Sequence, residues 1–130
     1  MKILLVDDSR FLRRASEQVL KKAGYEVVAA ADGEEALKMA RGQIPGLILL
    51  DMMLPKISGL EVLRALKQDA STKDIPVIVL TALSERNKEK LFQEGAVSYV
   101  EKSDALLEKD GAVLIKAVRQ VIGKGAAPGR

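Results

Sequence analysis

The chain has 130 residues, with 21 basic against 18 acidic side chains and a formal charge of +3, a length that suits one compact domain and excludes two. At 48% hydrophobic and 30% charged, the composition is neither that of a disordered chain nor that of a fibrous one. Cysteine and histidine are both absent, which removes disulfides, thiolate and imidazole metal sites and catalytic thiols, and leaves carboxylate, hydroxyl and amine chemistry.

The opening Met1-Lys2-Ile3-Leu4-Leu5-Val6 is basic and then apolar, but Asp7 and Asp8 cut it far short of a secretory core. No run approaches membrane-spanning length, so a soluble, cytoplasmic protein without a membrane partner is expected. Ile3 to Val6 is too short for a helix and reads as a buried parallel strand that stops at Asp7. Phe11, Leu12, Ala15, Val19, Leu20 and Ala23 then recur at helical spacing, closed by Lys21, Lys22 and Gly24, which predicts a helix from about Ser9. Asp8 is a candidate cap for it. Arg10, Arg13, Arg14 and Lys21 fall on its polar face, where the plain reading is a solvated surface and the other is docking to an acidic partner.

Glu26 to Ala30 is the second strand, and Asp32-Gly33-Glu34-Glu35 resembles a capping box opening a helix through about Arg41. After the Pro45-Gly46 break, Leu47 to Leu50 is a third buried strand ending at Asp51. Ser58 and Glu61 form another capping box ahead of a face marked by Leu60, Leu63 and Leu66. Pro76 to Leu80 is strand four, ending at Thr81, and Glu85 to about Gln93 is a polar helix stopped by Gly95. Ser98 to Glu101 is strand five, followed by Lys102. Gly111 interrupts the last apolar stretch at a cost of about 1 kcal/mol relative to alanine, which predicts a short turn over Asp104 to Glu108 and a helix from Ala112. Residues 123–130 have the composition of a flexible tail or linker remnant, so the folded domain is expected over residues 1–122.

Five apolar strands alternating with five helices imply an α/β fold, a five-stranded parallel sheet doubly wound by right-handed crossovers. Ligands of such sheets bind beyond the carboxyl ends of the strands. Those ends carry Asp7, Asp8, Asp51, Thr81 and Lys102. Carboxylates crowded together repel by up to about 4 kcal/mol per pair at 4 Å and an effective dielectric near 20, unless a proton or a cation intervenes. An oxygen-only, shallow cluster suits Mg2+ better than a closed calcium cage. With a metal and a lysine beside it, an aspartate becomes a credible nucleophile toward phosphorus.

Asp7-Asp8-Ser9, Asp51-Met52-Met53-Leu54-Pro55 with Ser58-Gly59, Thr81-Ala82, and Tyr99 three residues before Lys102 together resemble the receiver domain of bacterial two-component response regulators. The resemblance spans about Lys2 to Ile122 and implies a flavodoxin-like strand order 2-1-3-4-5. It implies that Asp51 is the phosphoacceptor, and that Asp7, Asp8, Asp51 and the backbone carbonyl of Met53 hold Mg2+, directly or through water. Lys102 would pair with Asp51 and then with the phosphoryl oxygens. Thr81 would turn its hydroxyl to them, and Tyr99 would change rotamer to alter the surface around the fourth and fifth helices. A ring packed at a strand edge is the plain alternative for Tyr99.

The implied function is a phosphorylatable signalling module, not a turnover enzyme. A histidine kinase or histidine phosphotransfer protein would be the donor, and a downstream effector protein or output domain the target. Direct nucleic-acid binding finds little support, because the basic residues are interleaved with acidic ones. Two rivals are weaker. A haloacid-dehalogenase-type phosphohydrolase would need Asp-x-Asp on strand one and a cap, and a flavin module would need phosphate donors where Asp7-Asp8-Ser9-Arg10 offers carboxylates. The chain departs from the family pattern at Ser103, where proline with a cis bond is usual. A cis bond there would cost about 3 to 4 kcal/mol, which predicts a trans Lys102-Ser103 peptide and an altered loop. Met53 and Leu83 stand where the family tunes phosphoryl loss. Neither readily orients water, so slow self-dephosphorylation is expected.

Overall fold

A computed structural model describes residues 1–81, 88–102 and 104–123. Ala82, Leu83, the predicted helix start at Glu85, the Lys102-Ser103 peptide and residues 124–130 lie outside the described residues. Five parallel strands, β1 (Lys2–Val6), β2 (Glu26–Ala30), β3 (Leu47–Asp51), β4 (Val77–Thr81) and β5 (Ser98–Glu101), form one sheet in the order β2-β1-β3-β4-β5. The expected α/β, doubly wound, flavodoxin-like architecture is what the chain adopts. The helices are α1 (Arg10–Lys22), α2 (Gly33–Gln43), α3 (Gly59–Gln68), α4 (Lys88–Gln93) and α5 (Glu108–Val118).

The two faces of the sheet follow from the period of two along each strand. Leu4, Val6, Ile48, Leu50, Val77 and Val79 bury one face with Ala36, Ala40, Val62, Leu63 and Leu66 from α2 and α3. Ile3, Leu5, Leu47, Leu49, Ile78 and Leu80 bury the other with Leu20 from α1 and Leu114 and Val118 from α5. With both faces covered, continuous apolar runs replace the usual alternation.

Helix starts depart from the sequence reading in small, explicable ways. Ser9, not Asp8, caps α1, accepting from Leu12 N at 3.3 Å. At α2, Asp32 accepts from Glu35 N at 2.8 Å, but Glu35 returns its carboxylate to Ala31 N rather than to the cap's own amide. At α3 the Ser58 and Glu61 box is complete. Strand β4 is displaced one residue from its predicted span: Pro76 enters the ladder only through its carbonyl, which accepts from Ile48 N, while Thr81 pairs with Glu101.

Before α5, a 3-10 turn over Asp104–Leu107 leads into Lys109, Asp110 and Gly111, all in the left-handed region. The regular right-handed helix therefore begins at Ala112, as the sequence predicts, although the glycine penalty is the wrong reason for it. Gly111 has φ of +76°, and a Cβ there would overlap Val19 of α1. Helix propensity alone would make Gly111→Ala stabilising. The strained φ and the overlap reverse that sign, and a loss of roughly 2 to 4 kcal/mol is expected. The urea midpoint, read at unchanged slope, checks it.

Candidate functional site

The parallel sheet brings its carboxyl ends to one edge, and the ladder continues one residue past three of the strands. Asp7 N donates to Ala30 O at 3.1 Å, Met52 N to Leu80 O at 3.1 Å, and Lys102 N to Thr81 O at 2.8 Å. The backbones that carry Asp7, Asp51 and Lys102 are thus held by the sheet itself.

The side chains converge from there. Lys102 Nζ donates to Asp51 Oδ2 at 2.6 Å and to Asp7 Oδ1 at 3.3 Å. Asp51 Oδ1 accepts from Met53 N at 3.0 Å, and Asp7 Oδ1 accepts from Ser9 N at 2.9 Å. Asp7, Asp51 and Thr81 are buried, Asp8 is exposed, and Lys102 keeps 19% of its side chain in solvent. One carboxylate oxygen from each of Asp7, Asp8 and Asp51 lies within 4.8 Å of the other two. All three acids and the lysine that the sequence singles out are therefore in one pocket.

Burial holds the Asp7 carboxyl above its ordinary value of 3.8, and outweighs the Ser9 N–H and the Lys102 charge, which favour the ionised form. For Lys102, burial works downward but is outweighed by the hydrogen bond to Asp51 and the charges of Asp7 and Asp51, so its ammonium is held above 10.5. The formal charges of three carboxylates and one ammonium leave the pocket two negative charges in excess. The donor set is all oxygen, and one acid opens to solvent. This all-oxygen donor set of three converging carboxylates fits a hard divalent cation.

Thr81 and Tyr99 share a face of the sheet. Thr81 pairs with Glu101 and Val79 with Tyr99, so the two side chains are diagonal neighbours on β4 and β5. Tyr99 is half-buried against the cluster that α2 and α3 cover, and meets Phe92 edge-on with ring centroids 6.1 Å apart. The side chain of Met53 is 70% exposed.

Two contributors escaped the sequence reading, and a third was visible in it only as part of the Ser58-Gly59 motif. Arg13, placed there on a solvated face, is half-buried, and its Nη1 donates to the backbone carbonyl of Asp7 at 2.8 Å. Gly59 is required because a Cβ would overlap the Asp51 carbonyl and the Met52 Cα. Lys56, at φ +69°, ties the loop after Asp51 to the start of α2, with Nζ 3.3 Å from Asp32 and 3.5 Å from Glu34. The Ser58-Gly59 pair signalled the second of these. The other two are tertiary contacts without a local signature.

Residues 3–118 match the response regulator receiver domain family. The chain is 37% identical over 101 residues to the polar-differentiation response regulator DivK of Brucella ovis, covering 77% of this chain and 82% of that one. It is 49% identical over 84 residues to the probable transcriptional regulator ycf27 of Cyanophora paradoxa, 65% of this chain but only 34% of that protein. Among solved structures, the chemotaxis response regulator CheY4 of Vibrio cholerae superposes with a TM-score of 0.83 at 32% identity, over 92% of this chain and 97% of that one.

Proposed function

Because the chain belongs to the response regulator receiver domain family, we propose that its acidic pocket loads a phosphoryl group onto Asp51 with Mg2+ as the bound cation. The pocket of Asp7, Asp8 and Asp51 is of the kind such domains use for phosphoacceptance, and the domain is a signalling module rather than a conventional enzyme. The observation that carries the reading is the Lys102 ammonium bridging Asp51 at 2.6 Å and Asp7 at 3.3 Å beside three converging carboxylates.

On this reading a carboxylate oxygen of Asp51 attacks phosphorus while the bond from phosphorus to the donor's nitrogen or oxygen breaks, which leaves an acyl phosphate. Asp7, Asp8 and Asp51, with the Met53 carbonyl, would hold Mg2+, directly or through water, and the ion would neutralise charge on the transferring group. Lys102 shifts from the Asp51 carboxylate to a phosphoryl oxygen, a charge-assisted hydrogen bond exchanged for another. Thr81 turns its hydroxyl to the new acceptors, and Tyr99, its diagonal neighbour, changes rotamer and alters the surface of β5 and the helices beside it. The donor is a histidine kinase or histidine phosphotransfer protein on the cytoplasmic side, and the target a downstream effector protein or an output domain. Among the described residues, no helix is long and apolar enough to cross a membrane.

Intact mass after incubation with acetyl phosphate and Mg2+ tests the acceptor. The wild type should gain one phosphoryl group and Asp51→Asn none; a gain that survives the substitution moves the acceptor elsewhere. The same labelled protein, freed of donor, should lose its label slowly, because the exposed thioether of Met53 cannot orient a water. Rapid loss with Mg2+ present would overturn that expectation.

A further inference from the structure

We propose that Arg13 is a positioning residue for the divalent cation, acting through the peptide that joins the two acids of the β1 end. The inference rests on the reading of the pocket as a Mg2+ site. The turn from Asp7 to Ser9 is bracketed on every side: Asp7 N donates to Ala30 O at 3.1 Å, Asp7 Oδ1 accepts from Ser9 N at 2.9 Å, and Ser9 Oγ accepts from Leu12 N at 3.3 Å. The Asp7 carbonyl of that turn is held as well, by Arg13, whose Nη1 donates to it at 2.8 Å.

That oxygen belongs to the Asp7–Asp8 peptide plane. Holding it fixes the rotation of the plane, and with it the direction in which the Asp8 side chain leaves the backbone. Asp8 is the exposed acid of the three, with the least packing to aim it. Arg13 can do this because its own amide donates to Ser9 O at 2.8 Å, closing the first turn of α1, so its side chain starts one turn away and reaches back over that turn. A guanidinium also presents a planar fork that loses little freedom per bond formed.

The proposal makes a prediction whose sign is opposite to simple electrostatics. Removing a positive charge near a cation site should tighten cation binding, whereas removing a positioning contact should weaken it. Titration of the full chain with Mg2+ alone, followed by calorimetry, separates the two. Arg13→Met should bind Mg2+ roughly tenfold more weakly, the low end of what supporting partners of ligand residues contribute. Arg13→Lys keeps the charge but not the fork, and should also bind more weakly. Arg14→Met, one residue on and exposed, should bind as tightly as wild type or more tightly. At saturating Mg2+, labelling of Arg13→Met by acetyl phosphate should return to the wild-type rate.

Binding by Arg13→Met as tight as wild type, or tighter, would overturn the proposal and leave Arg13 a neighbouring like charge. Equal weakening by Arg14→Met would overturn it as well. So would a fall in the urea midpoint of Arg13→Met in chelator with unchanged Mg2+ affinity, since that marks a purely structural contact. A wild type that takes no Mg2+ at all is a separate outcome: it overturns the functional reading, and the role of Arg13 with it.

Discussion

Lys102→Met should lose about 3 kcal/mol of folding stability at neutral pH in the absence of divalent cations, and should accept phosphoryl groups from acetyl phosphate about a hundredfold more slowly. The first effect comes from what the ammonium leaves behind. Asp7 and Asp51 are each only 1% exposed, and without Lys102 they face one another with no cation between them. Breaking a buried pair typically costs 3 to 5 kcal/mol; the lower end applies because the lysine keeps 19% of its side chain in water.

The pH dependence has a definite sign. Burial already holds Asp7 above its ordinary value, so the folded state takes up its proton more readily than the unfolded chain. Stability of the variant should therefore rise as pH falls toward 3.8, and fall as pH rises above it through the folded value. In the wild type the Lys102 pairing has the same sign, but acts at the alkaline end. Its folded value lies above 10.5, so its contribution is complete below that pH and is lost as pH climbs through the raised value. Urea unfolding of both proteins in chelator, at neutral and mildly acidic pH, checks the prediction. A variant as stable as wild type at neutral pH would show that the two acids do not depend on the amine. The transfer rate is the second readout, because a group proposed to stabilise charge on the phosphoryl oxygens should affect rate even under conditions where stability is equal.

The residues that were legible in the sequence share one property: their meaning is set by position along the chain. Asp7, Asp51, Thr81 and Lys102 are polar residues at the ends of apolar runs, and in a parallel sheet all such ends meet at one edge. Ser58 with Glu61 is legible for the same reason, since its bonds close within four residues. Arg13 was not. Its helical spacing placed it among Arg10, Arg14 and Lys21 on a polar face, and nothing in that spacing shows that one of the four curls back to the Asp7 carbonyl while Lys21 pairs with Glu17 at 2.9 Å. Gly111 was read correctly as a break but for a propensity reason. What requires glycine at that break is its positive φ together with Val19, a residue of another helix that leaves no room for a Cβ. The bridge from Lys56 to Asp32 and Glu34 joins loops that only the strand order makes neighbours.

Asp8→Asn should separate the two properties that Lys102→Met changes together. Asp8 is exposed, so its substitution should leave stability in chelator within about 0.5 kcal/mol of wild type, and relief of repulsion from Asp7 and Asp51 makes any change favourable. The proposed cation site, in contrast, would lose one of three carboxylates. Its formal excess falls from two negative charges to one, so a dication is no longer neutralised. Mg2+ affinity is expected to fall by about 10- to 100-fold, on the scale seen when groups that support metal ligands are removed. A ligand that binds only the folded state adds RT ln(1 + [L]/Kd) to stability. The rise in melting temperature that Mg2+ gives the wild type should therefore nearly vanish in Asp8→Asn at the same concentration. Labelling by acetyl phosphate should fall in parallel at subsaturating Mg2+ and recover as Mg2+ is raised. If Asp8→Asn retains both the melting shift and the Mg2+ dependence of wild type, the cation is held by the buried pair alone. The exposed acid would then have no part in the site.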